Sequence, residues 1–197
     1  MAISVRLYGQ LSKLLVSSGC GYTLNREGEG GEDMWASLIN AIGAAADMPQ
    51  MSGLKEMAKR LSAKIAHADP FIMDCNGKVC PQCEGVCCLN KFGRYDIGDV
   101  IYLAALGYRP AEILSFSNHD PECLPCKYLS QAGCVISRQL RPFRCNWFFC
   151  IPIIEYMENG NKKAYRGFSS LFHEIIRLRK DMLDEFCAYI KVLSESA

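Results

Sequence analysis

The run Cys80-Pro81-Gln82-Cys83-Glu84-Gly85-Val86-Cys87-Cys88 sets four thiols within nine residues, and Cys123, Cys126, Cys134, Cys145 and Cys150 follow it. Sulfur is a soft donor, so thiolates at this density select zinc, copper(I) or iron-sulfur clusters over magnesium or calcium. The same stretch decides the architecture. From Ser115 to Cys150 the chain has little periodicity and is rich in Pro, Gly and Cys. Such a segment is expected to be irregular and to take folding free energy from a bound metal.

Helical patterns lie on both sides of it. Glu27 to Asp33 is Gly- and Glu-rich and reads as a loop. Glu32 to Ala46 then predicts a helix, ended by Asp47-Met48-Pro49. Ser52 is placed to cap a second, in which Leu54, Met57, Ala58, Leu61 and Ile65 recur at helical spacing opposite Lys55, Lys59, Arg60 and Lys64. These two helices are expected to pair as a hairpin. Further on, Asp96 to Leu106 predicts a short helix with Asp96 as N-cap, Gly107 as its stop and Ile97, Val100, Ile101 and Ala104 as its buried stripe. Pro110 opens another through Leu114. From Ser170 to Leu193, residues such as Phe172, Ile175, Met182, Phe186 and Ile190 make a broad apolar face, in which Cys187 acts as a small hydrophobe.

The expected fold is mostly α: a small helical protein with an irregular Cys-rich metal-binding central module. Residues 1–74 form an N-terminal helical scaffold, 75–150 the Cys-rich module, and 151–197 a C-terminal region with a long amphipathic helix. Together they are expected to make one compact unit.

Bulk composition excludes several classes. Half of the 197 residues are hydrophobic and 22% are charged, a globular balance. Lys plus Arg is 22 against Asp plus Glu 21, a net charge of +1 that gives no general attraction to nucleic acid or an anionic membrane. No stretch approaches the ~18 uninterrupted apolar residues of a membrane span. Arg6, Gln10 and Lys13 interrupt the apolar run of Met1 to Cys20, and Ser17 stands where a lipoprotein box ending at Cys20 needs a large apolar residue. A cytoplasmic location is expected, where clustered thiols hold metal or do redox chemistry rather than form structural bridges.

The spacing names the candidate ligands. Cys80 and Cys83 form a CxxC pair, which lets two sulfurs converge on one ion from a tight knuckle, and Cys123 and Cys126 form a second. Adjacent side chains diverge, so Cys87 and Cys88 are not expected to bind the same metal atom. The metal candidates are therefore Cys80, Cys83, Cys87, Cys88, Cys123, Cys126, Cys134, Cys145 and Cys150. A centre uses four ligands, so nine thiols allow two centres with one to spare, or one centre and bystanders.

The ordered blocks CPQCEGVCC, Asp96-Ile97, Cys126-Lys127-Tyr128-Leu129, Gly133-Cys134 and Arg141-Pro142-Phe143-Arg144-Cys145 resemble the CxxCxxCC, or YkgJ-like, cysteine cluster family over about residues 78–150. The resemblance implies a zinc- or iron-chelating domain with Cys80, Cys83, Cys87, Cys88, Cys126, Cys134 and Cys145 in the matching positions. Two departures are visible. Three residues rather than two separate Cys83 from the vicinal pair, and Asn146 stands where the family has an arginine. The family's domain also occurs in flagellin lysine methylases, which implies an enzyme as a third possibility after a redox protein and a zinc module.

Iron-sulfur is preferred to structural zinc, with 4Fe–4S ahead of 2Fe–2S. No histidine stands near Cys80 to Cys88, and Arg138, Arg141 and Arg144 cluster beside Cys145. Arg141 and Arg144 are the candidate cofactor-binding residues, since guanidinium groups offset the negative charge of a thiolate-ligated cluster and donate hydrogen bonds to sulfur. Solvated salt bridges are the competing assignment for them. Trp147, Phe148 and Phe149 are read as core ahead of a hydrophobic wall for the centre. His119, near Cys123, is the one histidine with a claim as ligand; His67 and His173 are read as capping or surface residues. No catalytic residue is assigned. The glycines at 28–31 lack a phosphate-loop pattern, no serine sits in a nucleophile elbow, and no βαβ pattern surrounds Cys80 and Cys83 to suggest a thioredoxin-like pair. The expected role is electron transfer or a redox-linked accessory function with an unknown redox or protein partner. The alternative is a structural zinc module that binds a protein.

Overall fold

Apolar residues recur every three or four positions from Trp35 to Ala46. The chain answers with helix α1 (Gly31–Ala46), which buries Trp35, Leu38, Ile39, Ile42 and Ala45. The computed structural model describes residues 31–82, 93–117, 126–131 and 133–195. Among them the later helices are α2 (Ser52–Val79), α3 (Ile97–Ala105), α4 (Pro110–Ser117), α5 (Arg144–Trp147), α6 (Ile151–Asn159) and α7 (Lys162–Glu195). Strands β1 (Leu129–Ser130) and β2 (Gly133–Cys134) pair antiparallel, with Leu129 opposite Cys134. The protein is mostly α, as the periodicity predicts. No helix among the described residues is long and apolar enough to cross a membrane.

Several elements differ in detail from their expected form. Ser52 is not an N-cap. Pro49 starts a 3-10 turn over Pro49–Met51 that runs directly into α2, and Ser52 itself is helical at φ −59° and ψ −37°. A cap needs extended backbone, so the proline-led turn takes over the entry. Helix α2 also continues through Pro70 to Val79, across the 74/75 division drawn from the cysteine distribution. Helix α7 begins at Lys162 rather than Ser170, passing through Gly167. Among the described residues α1 packs chiefly against α3 and α4 rather than forming a hairpin with α2.

The chain divides into two compact units. One is built from residues 1–59, 95–118 and 179–197, and the other from 60–94 and 119–178. In the first, α3 is buried on every side. Its ends are closed by backbone chemistry. Asp96 Oδ1 accepts the Asp99 backbone N–H at 2.8 Å while Asp99 Oδ2 accepts that of Asp96 at 3.0 Å, a reciprocal capping box. At the other end Gly107 adopts φ +94°, and the N–H groups of Gly107 and Tyr108 donate to the carbonyls of Ala104 and Leu103. This is a Schellman closure, and it requires the left-handed residue that glycine supplies. Gly43 of α1 approaches Pro110 so closely that a Cβ would lie 3.0 Å from its ring, and Trp35 Nε1 donates to Ser117 Oγ at 3.1 Å.

In the second unit an aromatic cluster makes much of the core. Phe168 stacks on Phe71 at 4.6 Å, and Phe149 meets Phe168 and Phe172 edge-on at 5.6 Å each. Of the three aromatics after Cys145, Phe149 joins this core, Phe148 is half-buried and Trp147 is exposed.

The capping box of α3 carries a buried charge that needs an answer. Arg179 supplies it, donating through Nη2 to Asp96 Oδ1 at 2.9 Å and Asp99 Oδ1 at 3.2 Å. The guanidinium lies over Gly98, where a Cβ would fall 2.6 Å from Nη2. Arg179→Ala leaves buried Asp99 without its counter-charge and is expected to cost about 3 kcal/mol in denaturant unfolding. Gly98→Ala displaces the same guanidinium and is expected to destabilise in the same direction by a smaller amount.

Candidate metal centre

The second unit carries every described candidate ligand. Helix α2 ends at Val79, and Cys80 opens the 3-10 turn Cys80–Gln82 half-buried. Cys83, Cys87, Cys88 and Cys123 lie outside the described residues, as do Cys20 and His119. Gly93, five positions beyond Cys88 in the sequence, is pressed against a thiol. A Cβ built on it would lie 2.9 Å from Cys126 Sγ. Any side chain there would have to displace that sulfur.

Cys126 begins a turn that feeds the hairpin. Its carbonyl accepts the Leu129 N–H at 2.9 Å, and Lys127 folds its ammonium over the Tyr128 ring at 4.9 Å. Burial pushes the Lys127 ammonium down, while the neighbouring Cys126 charge acts the other way. Gly133 at φ +101° turns the hairpin, and the Ser130 hydroxyl donates to its carbonyl at 2.8 Å. Pairing with Leu129 then fixes Cys134. Beyond it, the Ile136 carbonyl accepts from Arg141 Nε at 3.0 Å and receives the Cys134 thiol at 3.9 Å.

Arg138 is the buried cation of the site, at 1% exposure. Its Nε donates to Asp69 Oδ1, Nη1 to Asn146 Oδ1 at 3.5 Å, and Nη2 meets Met73 Sδ at 3.5 Å. Asn146 Nδ2 returns a bond to the Arg138 carbonyl at 3.4 Å. Burial pushes the guanidinium below its ordinary pKa. The Asp69 hydrogen bond opposes this, Arg141 adds to it, and the charges of Asp69 and Cys134 again oppose it. Sequence reasoning named Arg141 and Arg144 and left Arg138 as their neighbour. In the structure Arg141 is half-buried on a carbonyl, Arg144 is exposed, and Arg138 is the enclosed one. Asp69 and Asn146 were not named as site residues. The signal available for them was an acid before a proline on a helical pattern, and an amide directly after Cys145.

Cys145 lies in α5, its N–H bonded to the Pro142 carbonyl at 2.8 Å, and Cys150 precedes α6 and accepts the Ile154 N–H at 3.0 Å. Cys75, buried on α2, stands apart from these. Burial, with Asp74 adding, pushes its thiol up and away from the thiolate a metal needs. Cys187 is half-buried on α7. His67 is exposed on α2, and exposed His173 places Nδ1 2.7 Å from the Ser169 carbonyl. No disulfide joins any two of the described cysteines.

Among the described residues no three His, Cys, Asp or Glu side chains converge as a metal-binding group. Four of the nine candidate thiols are outside those residues. The donors that are described fit a soft metal in kind: they are sulfur, one has backbone cleared around it by Gly93, and one feels a buried guanidinium.

Arg138→Ala would strand Asn146 and remove the counter-charge of Asp69. It is expected to lower stability by about 2–3 kcal/mol, discounted for the partial exposure of Asp69. Arg138→Lys keeps the charge but loses the planar fork, so it is expected to recover less than half of that loss in the same unfolding measurement.

The chain was compared with known proteins, and it matches no family model, no curated protein and no solved structure.

Proposed function

We propose that the chain is a metal protein whose cysteine thiolates hold one or two centres, with an iron-sulfur cluster as the content and a redox or electron-transfer accessory role in the cytoplasm. The observation that carries this reading is the packing of Gly93 on Cys126 Sγ. Gly93, five positions after Cys88, touches the sulfur of a second cysteine block, and a Cβ there would lie 2.9 Å from it. Cys126 and Cys134 are then linked by one short hairpin, and Arg138 stands as a buried cation whose surroundings include the Cys134 charge.

The ligand set is drawn from Cys80, Cys83, Cys87, Cys88, Cys123, Cys126, Cys134, Cys145 and Cys150, and its membership in the CxxCxxCC family belongs to the same proposal. Iron-sulfur is preferred to zinc because the donors are sulfur and the guanidinium groups of Arg138 and Arg141 are the kind of donors that stabilise anionic sulfur. When bound, such a cluster supplies one-electron transfer. The chain's own contribution is to present the thiols, set the buried guanidinium of Arg138 within reach of the Cys134 charge and keep Cys75 out of the set as a neutral thiol.

The test is purification of the full chain without oxygen, followed by its visible spectrum and its iron, sulfide and zinc content. A coloured protein with matching iron and sulfide is expected. Zinc at stoichiometric level with no sulfide would overturn the iron-sulfur content, and no bound metal of any kind would overturn the metal reading. Cys126→Ser is expected to lose the absorbance, whereas Cys75→Ser is expected to keep it.

A further inference from the structure

The corner between α6 and α7 carries its charges at the wrong helix ends. Helix α6 has Glu158 in its last turn, Glu155 at its midpoint and no basic residue, while α7 opens with Lys162 and Lys163, has Arg166 one position past its first turn and has no acid in that turn. A helix C-terminus is the negative end of the macrodipole and an N-terminus the positive end, so Glu158, Lys162 and Lys163 stand unfavourably. Capping does not use them, because Asn161 Oδ1 accepts the N–H groups of Lys163 and Ala164 at 3.0 and 3.1 Å. No ion pair among the described residues answers any of the five.

The same segment also leaves apolar surface uncovered. Ile153 and Met157 form the buried stripe of α6. On the adjoining stripe Ile151 is 72% and Ile154 37% exposed, and Trp147 is 46% exposed just before the helix. A third stripe, with Pro152, Glu155, Tyr156 and Asn159 at helical spacing, walls an open groove of about 770 Å³ that Lys78 and Gln82 also line. The helix therefore presents an apolar ridge beside a groove, and acids beside bases.

We propose that this corner is a self-association surface whose occupant is a second copy of the chain. A twofold interface uses the same patch on both partners, so that patch must contain both members of every complementary pair. This one does. The Ile151–Ile154 ridge of one copy enters the groove of the other, and Lys162, Lys163 and Arg166 of each meet Glu155 and Glu158 of its mate. The pairing sets an acidic group near each α7 N-terminus and a basic group near each α6 C-terminus, which reverses the dipole conflict. An unrelated partner would need only one member of each pair.

Sedimentation equilibrium of the full chain at low salt is expected to show a monomer–dimer equilibrium with a Kd on the order of 10 µM, as suits a small interface of mixed apolar and charged contacts. Raising the salt should weaken it. The double variants Glu155→Lys/Glu158→Lys and Lys162→Glu/Lys163→Glu should each raise Kd more than about tenfold through like-charge contact, with helix content unchanged by circular dichroism. An equimolar mixture of the two should restore association near the original strength, since both opposed sets are again complementary. A wild-type chain that stays monomeric at about 200 µM overturns the proposal. So do charge variants that dimerise as well as the wild type, or a mixture that fails to recover.

Discussion

A guanidinium buried to 1% exposure, that of Arg138, is the constraint around which the thiol-bearing unit is arranged. Removing a cation from water costs several kcal/mol even after relaxation, so the group persists only where charge and hydrogen bonds answer it. The answers come from three directions. Asp69 and Met73 stand four residues apart on α2, hence on one face, and both address the guanidinium. Asn146 exchanges hydrogen bonds with its side chain and its carbonyl. One residue thereby ties α2, the turn at 138–140 and α5 together. Cys134 lies four positions before it and Cys145 one position before Asn146, so two candidate ligands inherit their placement from a charge that is not itself a ligand.

This arrangement sorts the cysteines by environment rather than by spacing. Cys75 sits on the buried stripe of α2 that also includes Ala68 and Ile72, and there a neutral thiol is the favoured form. Cys126 is nearly as buried, yet its neighbours are a hairpin turn, a glycine cleared of side chain and a lysine. Burial among apolar side chains, with Asp74 adding, protects the Cys75 thiol from ionising.

The helices were legible because their signals are local. Asp96 and Asp99 form the cap that an acid before an apolar run predicts, and Gly107 makes the left-handed stop. Trp35, Leu38, Ile39 and Ile42 declare α1 by spacing alone. What escaped was set by contacts distant in sequence. Nothing near Ser52 reveals that Pro49 will start a 3-10 turn and take the cap's place. Pro70 is tolerated well inside α2, where a local rule would end the helix. The apolar face of α7 is sparse between Lys162 and Ser169, so its first turns could not be read from periodicity; the aromatic contacts of Phe168 supply the burial that the pattern lacks. For the candidate site, spacing named the thiols but not Arg138, because the sequence shows three arginines in one short stretch and only packing decides which is enclosed.

The two units treat charge near helix ends differently, and the difference has a physical meaning. At α3 the acids sit at the N-terminus, cap it and take Arg179 as counter-ion. At α4, Glu112 in the first turn binds the N–H of Arg109 and its guanidinium. Each of these choices agrees with the macrodipole and is paired within the chain. At the α6–α7 corner Glu158, Lys162 and Lys163 oppose the dipole, and no charge of the corner is paired among the described residues. A folded chain is expected to be consistent across levels, and departures concentrate where a partner completes the balance. The exposed Ile151–Ile154 ridge coincides with that departure, so apolar and electrostatic imbalance point to one surface. The cost of leaving both uncorrected in the monomer is recovered only by a contact that supplies opposite charge and covers the ridge together.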